Sequence, residues 1–187
     1  MLIAQITDLH VVGNGQLCQG RVATHAQLQG AVAHINNLDP RPDVVLATGD
    51  LTAHGTVEEY AVLRDILAAL LPPLYLIPGN HDHRDVLLEA FADHAYLPRL
   101  GAPFAHYVIE EYPVRLMGLD TTCLAILTSV GTCIPKGVST FFHAAFTAHN
   151  DVGADAGGSQ GLHQTVSKPH FLSVLVLQTL DLVKPHF

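Results

Sequence analysis

Three short apolar runs each stop at a cluster of metal-capable polar residues, and this constrains the chain more than any other feature. Leu2–Thr7 runs into Asp8-Leu9-His10, Asp43–Thr48 into Gly49-Asp50, and Leu74–Ile77 into Pro78-Gly79-Asn80-His81-Asp82. The segments between them have helical spacing. Leu28, Ala31, Val32, Ile35 and Leu38 mark a helix from Thr24 to about Asn37, closed by Pro40 and Pro42. Thr56 followed three residues later by Glu59 is a capping-box signature; Tyr60, Leu63, Ile66, Leu67 and Leu70 then line one face until Pro72-Pro73. A third helix is expected near Asp85–Ala92, with Val86, Leu87 and Phe91 inward, and then a strand pair, 105–109 and 114–119, turning at 110–113. The order βαβαβα followed by ββ predicts an α/β architecture with a sheet covered on its faces by helices.

The fold class bears on function through the strand tips, because ligands of open α/β sheets bind beyond the carboxyl ends of the strands. If Asp8-Leu9-His10 continues its strand, the period of two puts Asp8 and His10 on one side and Leu9 on the other. Gly49 and Gly79 precede the polar residues and permit sharp turns. Carboxylate, imidazole and amide donors without thiolate suit Mn, Fe, Zn or Co. A carboxylate between the other two tips, as Asp50 is, is placed to bridge two ions; two ions about 4 Å apart clamp the attacking and leaving oxygens of a phosphoryl displacement.

Composition narrows the remaining classes. The net charge of −8 argues against sequence-independent binding of a nucleic acid polymer. Cys18, Cys123 and Cys133 form no CxxC pair, which excludes a thiolate zinc site and fits a reducing compartment. The N-terminus reads as a strand, and the late apolar run Leu172–Val183, broken by Gln178 and Asp181, is too short to span a bilayer. A cytoplasmic protein without a membrane partner is the expectation.

Asp8-x-His10, Gly49-Asp50 and Gly79-Asn80-His81-Asp82 together resemble the first three blocks of the calcineurin-like metallophosphoesterase superfamily. Tyr75–Asp82 and Arg41-Pro42-Asp43 resemble its bacterial class III cyclic-nucleotide and glycerophosphodiester phosphodiesterase branch. The resemblance covers residues 1–120. It implies a metallophosphoesterase-type β-sandwich flanked by helices (αββα) and a centre of two divalent metal ions. Asp8 and His10 would bind the first metal, Asp50 would bridge, and Asn80 would bind the second through its amide oxygen. His81 would be catalytic, protonating the leaving alkoxide or stabilising the transition state, and Asp82 would hold His81 or the loop from behind. The implied reaction is hydrolysis of a small phosphodiester, a 3',5'-cyclic nucleotide or a glycerophosphodiester, by a metal-bridging hydroxide. The alternatives are a phosphomonoesterase of the same superfamily or a catalytically impaired fragment. His25, His34, His54, His83, His94 and His106 fall in no motif and read as surface or helix-face residues, although His54 and His83 lie near the proposed site.

The vocabulary changes after Asp120. Residues 1–120 contain six Arg, no Lys and no Ser, whereas 121–187 contain three Lys, five Ser and neither Arg nor Glu. The superfamily's later His-His-Pro and Gly-His-x-His blocks have no counterpart among His143, His149, His163, His170 and His186. The expected organisation is therefore an N-terminal part of a metallophosphoesterase domain over 1–120 and a divergent tail, frameshifted or fused, over 121–187, leaving the fold incomplete in its C-terminal half. The apolar stretch Leu172, Val174, Leu175, Val176 and Leu177 would suit pairing with another chain, so a homo-oligomer is among the partner arrangements that the sequence admits.

Overall fold

The computed structural model describes residues 1–13 and 15–122, together with the backbone of 173–177. Strands β1 (Ile3–Ile6), β2 (Val44–Thr48) and β3 (Leu74–Ile77) form one parallel sheet in the order β1-β2-β3. Every residue of the central strand β2 is buried, as expected of a parallel strand covered on both faces. Helices α1 (Thr24–Asn36), α2 (Val57–Leu67) and α3 (Arg84–Ala90) intervene or follow. A second sheet holds β4 (Tyr107–Ile109) antiparallel to β5 (Arg115–Leu119), with β6 (Ser173–Leu177) parallel on the far side of β5. The α/β architecture is thus observed, with two sheets.

Helix α2 shows the link from sequence to structure most directly. Thr56 Oγ1 accepts the Glu59 N–H while the Glu59 side chain accepts the Thr56 N–H, so the expected box forms. Tyr60, Leu63, Ile66 and Leu67 bury one face; the helix stops at Leu67, and Leu70 lies past its end, half-buried. In α3 the buried positions are Leu87 and Leu88, with Phe91 just after it, while Val86 is half-buried. The core joins both sheets: Val44, Leu46, Leu63, Leu76, Leu87, Phe91, Tyr107 and Leu116 belong to one cluster.

Register sets where the chemistry emerges. Ile6 pairs with Ala47, which in turn pairs with Leu76, so the three parallel strands end level. Their polar tips therefore leave the sheet together. An ion pair ties the start of α3 to the end of β5: Arg84 Nε donates to Asp120 Oδ2, and Arg84 Nη2 donates to the carbonyl (2.7 Å) and hydroxyl (2.6 Å) of Thr122. Asp120 is fully buried and also accepts the Ala105 N–H at 2.9 Å. The tail histidines, Cys123 and Cys133, and the divergent-tail expectation itself fall outside the described residues, apart from β6.

Candidate metal and phosphoester site

The first tip does not form as an extension of its strand. Strand β1 ends at Ile6, and Asp8 and His10 both take left-handed backbone conformations, φ 55° and 41°. Backbone pairing with the second tip is what holds them: Asp8 N–H donates to Gly49 O (3.1 Å), His10 N–H to Asp50 O (2.9 Å) and Val11 N–H to Leu51 O (3.1 Å). Strand alternation therefore does not apply to Asp8 and His10, whose backbone is set by left-handed residues on either side of Leu9 and by these bonds to the second tip. Thr24, the first residue of α1, donates its hydroxyl to the His10 carbonyl at 3.0 Å instead of capping its own helix.

At the second tip Gly49 has φ 95° and Asp50 φ 47°. Asp50 is 7% exposed; its Oδ1 accepts the His81 N–H at 3.0 Å, and its Oδ2 stands 3.9 Å from His10 Nε2. The third tip is folded by Asp82. This buried carboxylate accepts the N–H groups of Leu51 (3.0 Å), Thr52 (3.1 Å) and Gly79 (2.7 Å) and the hydroxyls of Thr52 (3.0 Å) and Tyr60 (2.8 Å). Burial raises the Asp82 pKa against the opposing pull of these donors. Of the two roles expected for Asp82, it fulfils the loop-holding one, locking the third tip to the second. Gly79 contributes its N–H to this arrangement.

His81 is thereby set against the other tips. Its ring meets His10 edge-on at 4.8 Å between centroids, and its Nδ1 lies 2.9 Å from the Ala53 carbonyl oxygen. A carbonyl only accepts, so Nδ1 carries a proton and, in the neutral ring, Nε2 keeps the lone pair. Donor atoms of His10, Asp50 and His81 all lie within 4.8 Å of one another. Asp8 is exposed, with Oδ2 accepting the Thr7 hydroxyl at 2.7 Å, and Asn80 is exposed on the third tip beside His81. The structure thus gathers His10, Asp50 and His81 tightly and sets Asp8 and Asn80 as their chain neighbours on the same tips.

The donor set fits a divalent ion. Two ligands at about 2.1 Å from one ion lie at most about 4.2 Å apart, and the His10–Asp50 pair meets that limit. The wider spacing allowed across the trio is compatible with His81 standing beside such an ion. The other histidines divide as follows. His94 packs edge-on against Phe91 and Tyr96, and burial lowers its pKa. His106 stacks on Phe104, and its Nδ1 accepts the Asp120 N–H at 2.9 Å. His83 lies against Gly55, where a Cβ would come within 2.2 Å of its ring. His54 is largely exposed, with Nδ1 at 2.7 Å from Glu59 Oε1. Sequence reasoning missed Arg84, Asp120 and the second use of Glu59. Only the capping signature at Glu59 gave a local signal.

Imidazole and carboxylate donors gathered at the level ends of a parallel sheet define an α/β protein with a candidate divalent-metal centre. The chain belongs to the calcineurin-like phosphoesterase family, whose model matches residues 1–168. Among curated proteins it is 38% identical over 122 residues to a probable glycerophosphodiester phosphodiesterase of Arcobacter nitrofigilis, covering 65% of this chain and 44% of that protein. It is 36% identical over 124 residues to a glycerophosphodiester phosphodiesterase of Enterobacter lignolyticus, with the same coverage. It is also 33% identical over 91 residues to a 3',5'-cyclic adenosine monophosphate phosphodiesterase of Pseudomonas aeruginosa, covering 48% of this chain and 33% of that one. The chain spans less than half the length of these relatives. Among the described residues no helix is long and apolar enough to cross a membrane.

Proposed function

We propose that this protein is a metal-dependent phosphodiesterase acting on a small phosphodiester, either a 3',5'-cyclic nucleotide or a glycerophosphodiester. The observation that carries this reading is the His10–Asp50–His81 cluster at the strand tips, with Nε2 of His81 left free beside two ligand-type side chains. The names of the relatives support the diester class. Asp8, His10, Asp50 and Asn80 would hold two divalent ions, with Asp50 shared. When bound, such ions neutralise charge on the phosphoryl oxygens and make water more acidic.

The chain's own residues supply the rest. Asp50 uses one oxygen on the His81 N–H and keeps the other toward His10, so ligand and proton carrier share one anchor. Protonated His81 gives its Nε2 proton to the departing alkoxide oxygen and becomes neutral, with Nδ1–H still held by Ala53. The net charge of −8 disfavours long polyanions and favours a small substrate. An odd number of cysteines, with no CxxC pair in the sequence, supports a cytoplasmic location.

The test compares bis- and mono-nitrophenyl phosphate as substrates with added Mn, in the wild type and in His81→Ala. Diester hydrolysis should dominate, and the substitution should lower kcat by about 10²-fold or more. Preferential monoester turnover, or diester turnover indifferent to His81, would overturn the assignment.

A further inference from the structure

Glu59 makes more hydrogen bonds than its helix cap requires. The capping box uses Oε2 on the Thr56 N–H at 3.2 Å and Thr56 Oγ1 on the Glu59 N–H at 3.3 Å. Two shorter bonds remain: the His54 N–H to Oε2 at 2.9 Å and His54 Nδ1 to Oε1 at 2.7 Å. Glu59 is 4% exposed. Burial pushes its pKa up, but the His54 side chain and the Thr56 and His54 N–H groups outweigh that effect and leave it lowered. A buried, ionised carboxylate therefore faces residue 54.

The His54 N–H and the Ala53 carbonyl are the two ends of one peptide group. A trans peptide points its N–H and C=O in opposite directions. One end donates to Glu59, and the other accepts from Nδ1 of His81. The resulting chain of hydrogen bonds runs from the His81 ring through the 53–54 peptide to Glu59, and returns to the His54 ring. A negative charge at the N–H end polarises the peptide and makes its oxygen a stronger acceptor, because hydrogen bonds in series reinforce one another.

We propose that Glu59 is a positioning residue for His81, acting through the Ala53–His54 peptide: it fixes the Nδ1–H tautomer and the ring orientation, so that Nε2 is the nitrogen left for chemistry at the site. This inference rests on His81 being the proton carrier, yet the hydrogen-bond chain is testable without turnover. The role resembles that of a carboxylate orienting a histidine directly, with a peptide group interposed.

Glu59→Gln keeps a side chain that can still cap the helix but removes the charge and turns an amide toward His54. Nitrogen-detected NMR of the full chain at pH 8, with and without zinc, reads each histidine tautomer. In the variant His54 should change to the Nε2–H form, and the His81 Nδ1–H proton should move upfield and exchange faster with water. With the diester substrate, kcat should fall by roughly tenfold, the low end for a residue that orients a catalytic group, with KM little changed. Thr56→Ala breaks the box without touching the chain of bonds, so it should lower thermal stability and leave the His81 signals in place. Should Glu59→Gln fail to fold, Glu59→Asp, which withdraws the charge by one methylene, makes the same comparison. Unchanged His81 tautomer, shift and exchange in the folded variant would overturn the proposal. A protein that hydrolyses nothing yet shows the His81 changes would uphold it and refute only the enzymatic reading.

Discussion

Two aspartates at the strand tips have opposite surroundings. Asp82 is buried and accepts five hydrogen bonds, from Leu51, Thr52 (two), Tyr60 and Gly79. Asp8 is exposed and accepts one, from its neighbour Thr7. The first carboxylate has its lone pairs committed to building loops, while the second keeps an oxygen open to water. The motifs set both acids at one site in different roles, and of the two only Asp8 is exposed to solvent. The same division separates Glu59 and Asp120, which are embedded, from Asn80, which stands in solvent.

Substitutions should widen or erase this contrast. The largest loss of stability is expected from Asp82→Ala, which strands several buried donors and should cost about 3–5 kcal/mol, read as a lower urea midpoint. Asp120→Asn should come next, at about 2–3 kcal/mol near neutral pH, because Arg84 loses its buried counter-charge. Its pH dependence has a definite sign. Burial raises the Asp120 pKa, but Arg84, Thr122 and the Ala105 N–H outweigh burial and leave it below its ordinary value of 3.8. The stabilisation is therefore present above that value and lost as pH falls through the lower folded-state pKa. The gap between wild type and Asp120→Asn should close over that acid range; a constant gap would show that the pair does not carry the difference. Asp8→Asn should change stability by no more than about 0.5 kcal/mol, while weakening Mn binding measured by calorimetry. If Asp8→Asn proved as destabilising as Asp82→Ala, the division between the two acids would be wrong.

Much of the scaffold was legible because it is encoded locally. Helix-period positions such as Leu28, Val32 and Ile35 are buried in α1, and the Thr56–Glu59 box forms as its spacing requires. The order of the tips was legible for a similar reason, since parallel strands of matched length release them at one end. The conformation within each tip was not. Asp8 and His10 lie beyond the end of β1 in left-handed geometry, imposed by hydrogen bonds to residues 41 and 40 positions away. The Arg84–Asp120 pair spans 36 residues and joins the start of α3 to the end of β5, where no periodicity could announce it. Glu59 was legible as a cap, but its reach through the 53–54 peptide depends on where His81 arrives from a different loop.

Among the described residues, three of the four non-glycine positions with positive φ are Asp8, His10 and Asp50, all of them candidate ligands. Left-handed backbone costs an L-residue about 1–2 kcal/mol and costs glycine little. Selection for stability alone would drift these positions toward glycine, and each such step would delete a donor. The site therefore carries a standing trade-off. Its ligands occupy the positions where a consensus or stability-guided redesign would be drawn first, so a thermally hardened version of this chain chosen without assaying metal binding would tend to be an emptied one.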